Sequence, residues 1–494
     1  MQTARIDNGD ELVTGWRDAL PSDGLLAVVK RDCPTCVLVA PVLAELAASG
    51  AVAVTQDDPA FPEGAAPRHD GDLELSYRLD IETVPTLIRF SDGREAERAI
   101  GWNKAEWQAL TGRADLGEDL PENQPGCGSL SVEFGMPERL AVRFGDIPLA
   151  ARRIVVEDHD DPMEAAFDRG WTDGLPIVPP TDLRVARMLA GTTRAADEVI
   201  GEIPPNLAPC TVEKAAINAV MAGCRPEYFP TVLAAVEAAL IPGFSMHGLL
   251  CTTHFAGPVI VVNGPVARRI GMNWGLNALG QGNRANATIG RAFQLIVRNV
   301  GGGRPGEIDR AMQGNPGKYT FCFAEDETDP DWTPLSVSRG IRPGASAVTL
   351  FHGEGVSGFV DQKSRTAEEL TTSLAHYLWH VNHPKLCEFG GALLVLSPEH
   401  YLIYKAEGWG RSEIHEALWA ALKRPGSEVV RGAGGLAEGM EPGRENEAMD
   451  KFREPTFLIA RAGGPAGLFS AVIGGWTGMR MTGEVDPVTK EIGT

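Results

Sequence analysis

Short apolar runs alternate with longer amphipathic stretches along most of the chain, and turn residues separate them. Residues 25–29 are apolar and β-branched at their end, which predicts a buried strand. Residues 37–47 continue apolar for long enough to predict a helix, so the intervening Lys30-Arg31-Asp32-Cys33-Pro34-Thr35-Cys36 stands at a strand-to-helix junction. Helices are also expected over 11–19 and 103–111. Beyond residue 155 the pattern predicts helices over 181–191, 210–223, 226–240, 366–381 and after Asn283, where Ile289, Phe293, Ile296, Val297 and Val300 fall at helical spacing. Strands are expected over 249–251, 258–263, 345–351, 392–396, 456–460 and 468–473. Alternation of this kind predicts an α/β fold.

Length and composition change the picture in three ways. A chain of 494 residues exceeds one ordinary core. Residues 116–150 open polar and turn-rich, and Cys127 lies among them between two glycines; the expected organisation is therefore a domain over 1–115, a linker over 116–150 and a larger α/β domain over 151–494. The formal net charge of −21 disfavours nucleic acid or an anionic membrane as partner. The N-terminus lacks the apolar core of a signal peptide, no apolar run is long enough to span a bilayer, and eight cysteines in so long a chain make no disulfide framework. A cytoplasmic protein with reduced thiols is expected. No internal repeat is evident.

A Cys-x-x-Cys at a strand-to-helix junction has a chemical use. Unpaired N–H groups and the helix dipole favour negative charge on the first sulfur, so Cys33 becomes a nucleophile, and Cys36, one turn on, can resolve a mixed disulfide. Half of a zinc site is the competing reading, but no second Cys-x-x-Cys exists. Pro41 follows Cys33 by eight positions, Val84-Pro85-Thr86 lies further on, and Asp92-Gly93 is a hairpin signal between two strand-like runs. On these residues the first 115 positions resemble the thioredoxin superfamily. The resemblance implies a cis-proline at Pro85 facing the cysteine pair, with Thr86 beside it, in a groove that binds extended substrate backbone. It departs from the family at Ala27, where a buried Asp is usual, and at Asp32, where Trp is usual; Asp32 beside Cys33 works against a lowered thiol pKa.

In the larger region Cys210 precedes a helix and is the first choice for a thiol partner of the Cys33–Cys36 pair. Asn283 and Arg284, after Gly280-Gln281-Gly282, are candidates for holding a carboxylate or phosphate, or else a helix cap and a turn. His352 and Glu354 at a strand end are placed for acid–base chemistry or lie in a surface loop. His247, Cys251 and His254 have metal-like spacing, but on a strand His254 would point away. His376, His380 and His383 share a helical arc and are read as a solvated face, or as hydrogen-bonded histidines at a domain contact, rather than a metal site. This region resembles a bacterial protein family with no characterised activity.

The expected function is a thiol–disulfide oxidoreductase, taking a small-molecule or protein disulfide as substrate and electrons from an upstream reductant, and supplying them to the fused α/β domain. No cofactor and no metal are expected. The alternatives are a lyase or hydrolase of a small anionic substrate, its thiol maintained by the N-terminal domain, and a non-catalytic docking role for that domain.

Overall fold

A computed structural model describes residues 16–145, 149–156, 160–476 and 485–493. The chain divides into two compact units, Met1–Pro148 and Leu149–Thr494. Both mix helices with strands, so the fold is α/β as expected. The helix expected over 11–19 lies largely outside the described residues; Trp16–Ala19 is a single 3-10 turn. Among the described residues no single helix is long and apolar enough to cross a membrane.

The first unit is built on β1 (Gly24–Val29), which pairs parallel with β2 (Val52–Thr55). The parallel crossover is α1 (Pro34–Ala48), whose Cys36, Val39, Val42, Leu43 and Leu46 recur every three or four residues and are buried together. β3 (Arg68–His69) extends the sheet beside β2, and α2 (Glu74–Arg78) leads to the two-residue β4 (Thr83–Val84). The Val84–Pro85 peptide is cis. β5 (Thr86–Ser91) and β6 (Arg94–Ile100) then complete the order β3-β2-β1-β5-β6, β5 running antiparallel to β1.

Asp92 and Gly93 join β5 to β6 with φ of 51° and 71°, the left-handed pair that a two-residue hairpin needs. A Cβ at Gly93 would meet nothing within 4 Å, so only backbone strain opposes Gly93→Ala. Denaturant unfolding is expected to show a loss of about 1 kcal/mol.

The stretch expected as a linker from residue 116 is instead folded onto this unit. After β7 (Trp102–Asn103) and α3 (Lys104–Thr111), Leu116 is fully buried in the core. β8 (Asn123–Gln124) pairs with β7, and β9 (Cys127–Gly128) pairs with β4. α4 (Met136–Phe144) closes the unit. Polar composition signalled a linker, but Leu116 and Cys127 pack against the core and Ser129 and Ser131 are buried. The Gln56 side chain joins this stretch too, donating to Ser129 (2.6 Å) and accepting the Leu130 N–H (3.0 Å).

The second unit begins with helices and the hairpin of β10 (Val199–Ile203) and β11 (Ala208–Thr211). Among the described residues its sheet has seven strands: β12 (Gly257–Asn263), β13 (Cys322–Ala324), β14 (Ala347–Val360), β15 (Gly391–Leu396), β18 (Phe457–Arg461), β19 (Phe469–Gly475) and β20 (Val488–Glu491). Between β15 and β18, the short β16 (Lys423–Pro425) and β17 (Ala448–Asp450) pair apart from the sheet. The sheet order is β13-β12-β14-β19-β15-β18, with β20 also on β14.

Two expectations change here. Residues 249–251 are not a strand but the end of the helix Met246–Cys251. Met246, Leu249 and Leu250 are buried at helical spacing, a distinction that so short an apolar run does not reveal by itself. The strand expected over 345–351 runs on through Glu354 to Val360, carrying a register shift between Gly353 and Val356 against β19. Within the charged stretch 445–453, Lys451 is buried and donates to the carbonyls of His383 and Leu386.

Candidate functional site

Cys33 is the N-cap of α1, with Pro34 at the first helical position, where a missing N–H costs nothing. Its sulfur accepts the Cys36 N–H at 3.4 Å, and its S–H reaches the Val84 carbonyl at 3.5 Å. The cysteine pair and the residue before Pro85 are therefore neighbours. Pro85 is buried and its carbonyl accepts the Gly101 N–H (2.7 Å), while the Thr86 hydroxyl donates back to the Thr83 carbonyl (2.7 Å). These bonds fix the turn that carries Val84.

The Cys33 sulfur does not face open solvent: the residue is 1 % exposed. Residues 123–128 lie over it, with Val84 opposite Cys127 in an antiparallel register. The Thr35 hydroxyl donates to the Pro125 carbonyl at 2.5 Å. A Cβ on Gly126 would stand 2.4 Å from Thr83 Cγ2 and 2.7 Å from the Val84 carbonyl, so only glycine lets this strand approach so closely. Cys127, which the sequence places between two glycines in a polar, turn-rich stretch, pairs with the residue that Cys33 bonds. The two glycines beside it were the available signal.

Burial pushes the Cys33 thiol up, but hydrogen bonds from the Cys127 side chain and from the Cys36 and Thr35 groups outweigh it and hold Cys33 below its ordinary value. Asp32 is exposed and does not prevent this. Burial drives Cys36 far up, and burial together with the bond to Cys33 raises Cys127. The site thus sets one sulfur with a lowered pKa beside two with raised ones, the arrangement that thiol–disulfide exchange uses. Replacing Cys127 with alanine is expected to move the Cys33 midpoint upward in a thiolate-absorbance titration. Because the folded-state pKa is depressed, Cys33 adds stability as pH rises above that midpoint and none below it.

The second unit places the other candidates differently. Cys210 is fully buried on β11, and burial pushes its thiol up to about 11 rather than down. The cap of the following helix is Thr211, whose hydroxyl accepts the Lys214 N–H. Cys210 is therefore sealed from exchange. Asn283 caps the helix Arg284–Asn299, accepting the Asn286 N–H (3.0 Å) and donating to the Gly271 carbonyl (2.8 Å). Arg284 donates to the Gly223 carbonyl at 2.9 Å. Asn283 thus serves as the helix cap, and the Nε of the exposed Arg284 is taken up by the Gly223 carbonyl.

A cavity of about 1300 Å³ gathers groups that the sequence scattered: His247, Cys251, His254, Glu354, Tyr377 and His380 all line it. His254 Nε2 and Glu354 form a close hydrogen-bonded pair. Glu354 stands in the register shift of β14, the kind of bulge that re-aims a side chain. His352, two residues earlier on the same strand, is instead fully buried against Phe244, bonded to its carbonyl (2.6 Å) and held neutral with a pKa lowered to about 4 by burial. Of the later histidines, His376 is exposed and does not line the cavity, and His383 accepts the Lys385 N–H (3.2 Å). Among the described residues no group of His, Cys, Asp and Glu is arranged to hold a metal. The His254–Glu354 pair spans two distant segments, and no sequence spacing announces it.

No family model matches the chain, and no curated protein matches it either.

Proposed function

We propose that the first unit is a thiol–disulfide oxidoreductase of thioredoxin type, in which Cys33 attacks a disulfide and Cys36 resolves the intermediate. The observation that carries this reading is the Cys33 sulfur at the α1 N-terminus, bonded by the Cys36 N–H and held below its ordinary pKa. Cys36, one helical turn on, is the adjacent resolving thiol. In this reading the dithiol supplies electrons to chemistry in the larger unit. Full-length protein at catalytic concentration is expected to speed reduction of oxidised glutathione by dithiothreitol, and Cys33→Ser is expected to end the acceleration. Equal acceleration by wild type and Cys33→Ser would refute the reading.

A second reading, a lyase or hydrolase acting on a small molecule in the larger unit, is favoured by the cavity with its His254–Glu354 pair. A carboxylate-oriented imidazole suits proton transfer to or from a bound substrate. Under it, turnover of such a substrate would survive Cys33→Ser when external thiol is supplied and would fall by roughly 10²-fold in Glu354→Gln.

A further inference from the structure

We propose that Cys127 is a third redox thiol, which receives the external disulfide and passes it to Cys33; this rests on the oxidoreductase reading of the same site. Three observations carry it. Cys33 and Cys36 are both buried, whereas Cys127 is partly exposed, so an incoming molecule meets Cys127 first. The Cys33 S–H reaches the Val84 carbonyl at 3.5 Å, and Val84 is the residue that Cys127 pairs with, so the two cysteines flank the same residue. This placement is built rather than incidental: β9 pairs with β4 at Val84↔Cys127, Thr35 holds the Pro125 carbonyl, and Gly126 permits the close approach.

The exchange balances with a small disulfide, RSSR, as oxidant. Cys127 attacks one sulfur of RSSR; a Cys127–SR bond forms, and one RSH leaves with the Cys127 proton. The Cys33 thiolate then attacks the Cys127 sulfur. A Cys33–Cys127 disulfide forms, and the second RS⁻ leaves and takes a proton from water. Finally Cys36 gives up its proton and attacks Cys33; the Cys33–Cys36 disulfide forms and Cys127 returns to the thiol. One RSSR is reduced to two RSH, and one dithiol is oxidised. The raised pKa of Cys127 slows its first attack, and the lowered pKa of Cys33 favours the second.

Cys36→Ser stops the sequence at its middle. Cys33 lies in the tryptic peptide 32–68 and Cys127 in 114–139, so their disulfide joins two peptides that are otherwise separate. Full-length Cys36→Ser treated with oxidised glutathione is expected to yield the 32–68/114–139 cross-link, with two glutathiones released and none retained. Glutathione retained on Cys33 with Cys127 still alkylatable would overturn the proposal. Wild type, quenched with acid early in oxidation and alkylated, provides a readout independent of that variant's folding: the same cross-link is expected transiently before the internal Cys33–Cys36 disulfide accumulates. Wild type that forms Cys33–Cys36 without ever showing the cross-link would overturn the Cys127 step alone. Wild type in which Cys33 is never oxidised would overturn the oxidoreductase reading and this inference with it.

Discussion

Cys33→Ser is expected to lower catalysed disulfide exchange by on the order of 10³-fold, to the level of the reductant alone. At the α1 N-terminus the sulfur is bonded by the Cys36 N–H, and this bond together with the Cys127 side chain lowers its pKa despite its burial. A serine hydroxyl in the same bonds remains protonated, because its intrinsic acidity lies far below that of a thiol. Cys36→Ser should behave differently, since Cys33 still attacks while the second electron-transfer step lacks its partner. A single-turnover release of thiol, followed by arrest, is expected. Thiol release under excess oxidised glutathione distinguishes the two variants.

Trp102→Ala is expected to have the largest effect on stability, about 3–5 kcal/mol in denaturant unfolding of the first unit. Trp102 is fully buried, meets Trp107 edge-on at 5.1 Å between ring centroids, and donates its indole N–H to the Pro121 carbonyl at 2.7 Å. It also lies on β7, which pairs with β8 at Gln124. Its loss therefore empties a core site and releases the anchor of the strand that covers Cys33. Faster alkylation of Cys33 should accompany the lost stability. Trp102→Phe keeps most of the ring but not the N–H, and is expected to cost about 1 kcal/mol for the lost bond with a smaller rise in alkylation.

The legible parts were those written in local pattern. The β1–α1 junction, the Asp92-Gly93 hairpin and the helix starts at 103, 181 and 366 stand within a residue of where turn chemistry and periodicity put them. What the sequence concealed was set by contacts between distant residues. Cys127 looks like a linker cysteine until β9 pairs with β4, because nothing in a polar, turn-rich stretch says what it packs against. Met246–Cys251 is too short for its apolar residues to tell helix from strand. Cys210 precedes a helix, as a reactive thiol can, but burial decides its fate and raises its pKa. Glu354 meets His254 only because β14 shifts register there.

The most direct test of the redox couple is equilibration of the full-length protein in thiol–disulfide buffers of graded potential, followed by acid quench, alkylation in denaturant and peptide mapping. The account predicts a single two-electron transition in which the thiols of Cys33 and Cys36 disappear together and return on reduction, while Cys210 stays alkylatable throughout. If Cys33 and Cys36 remain alkylatable at every potential at which small thiols are oxidised, the pair is not a redox couple and the assignment is wrong.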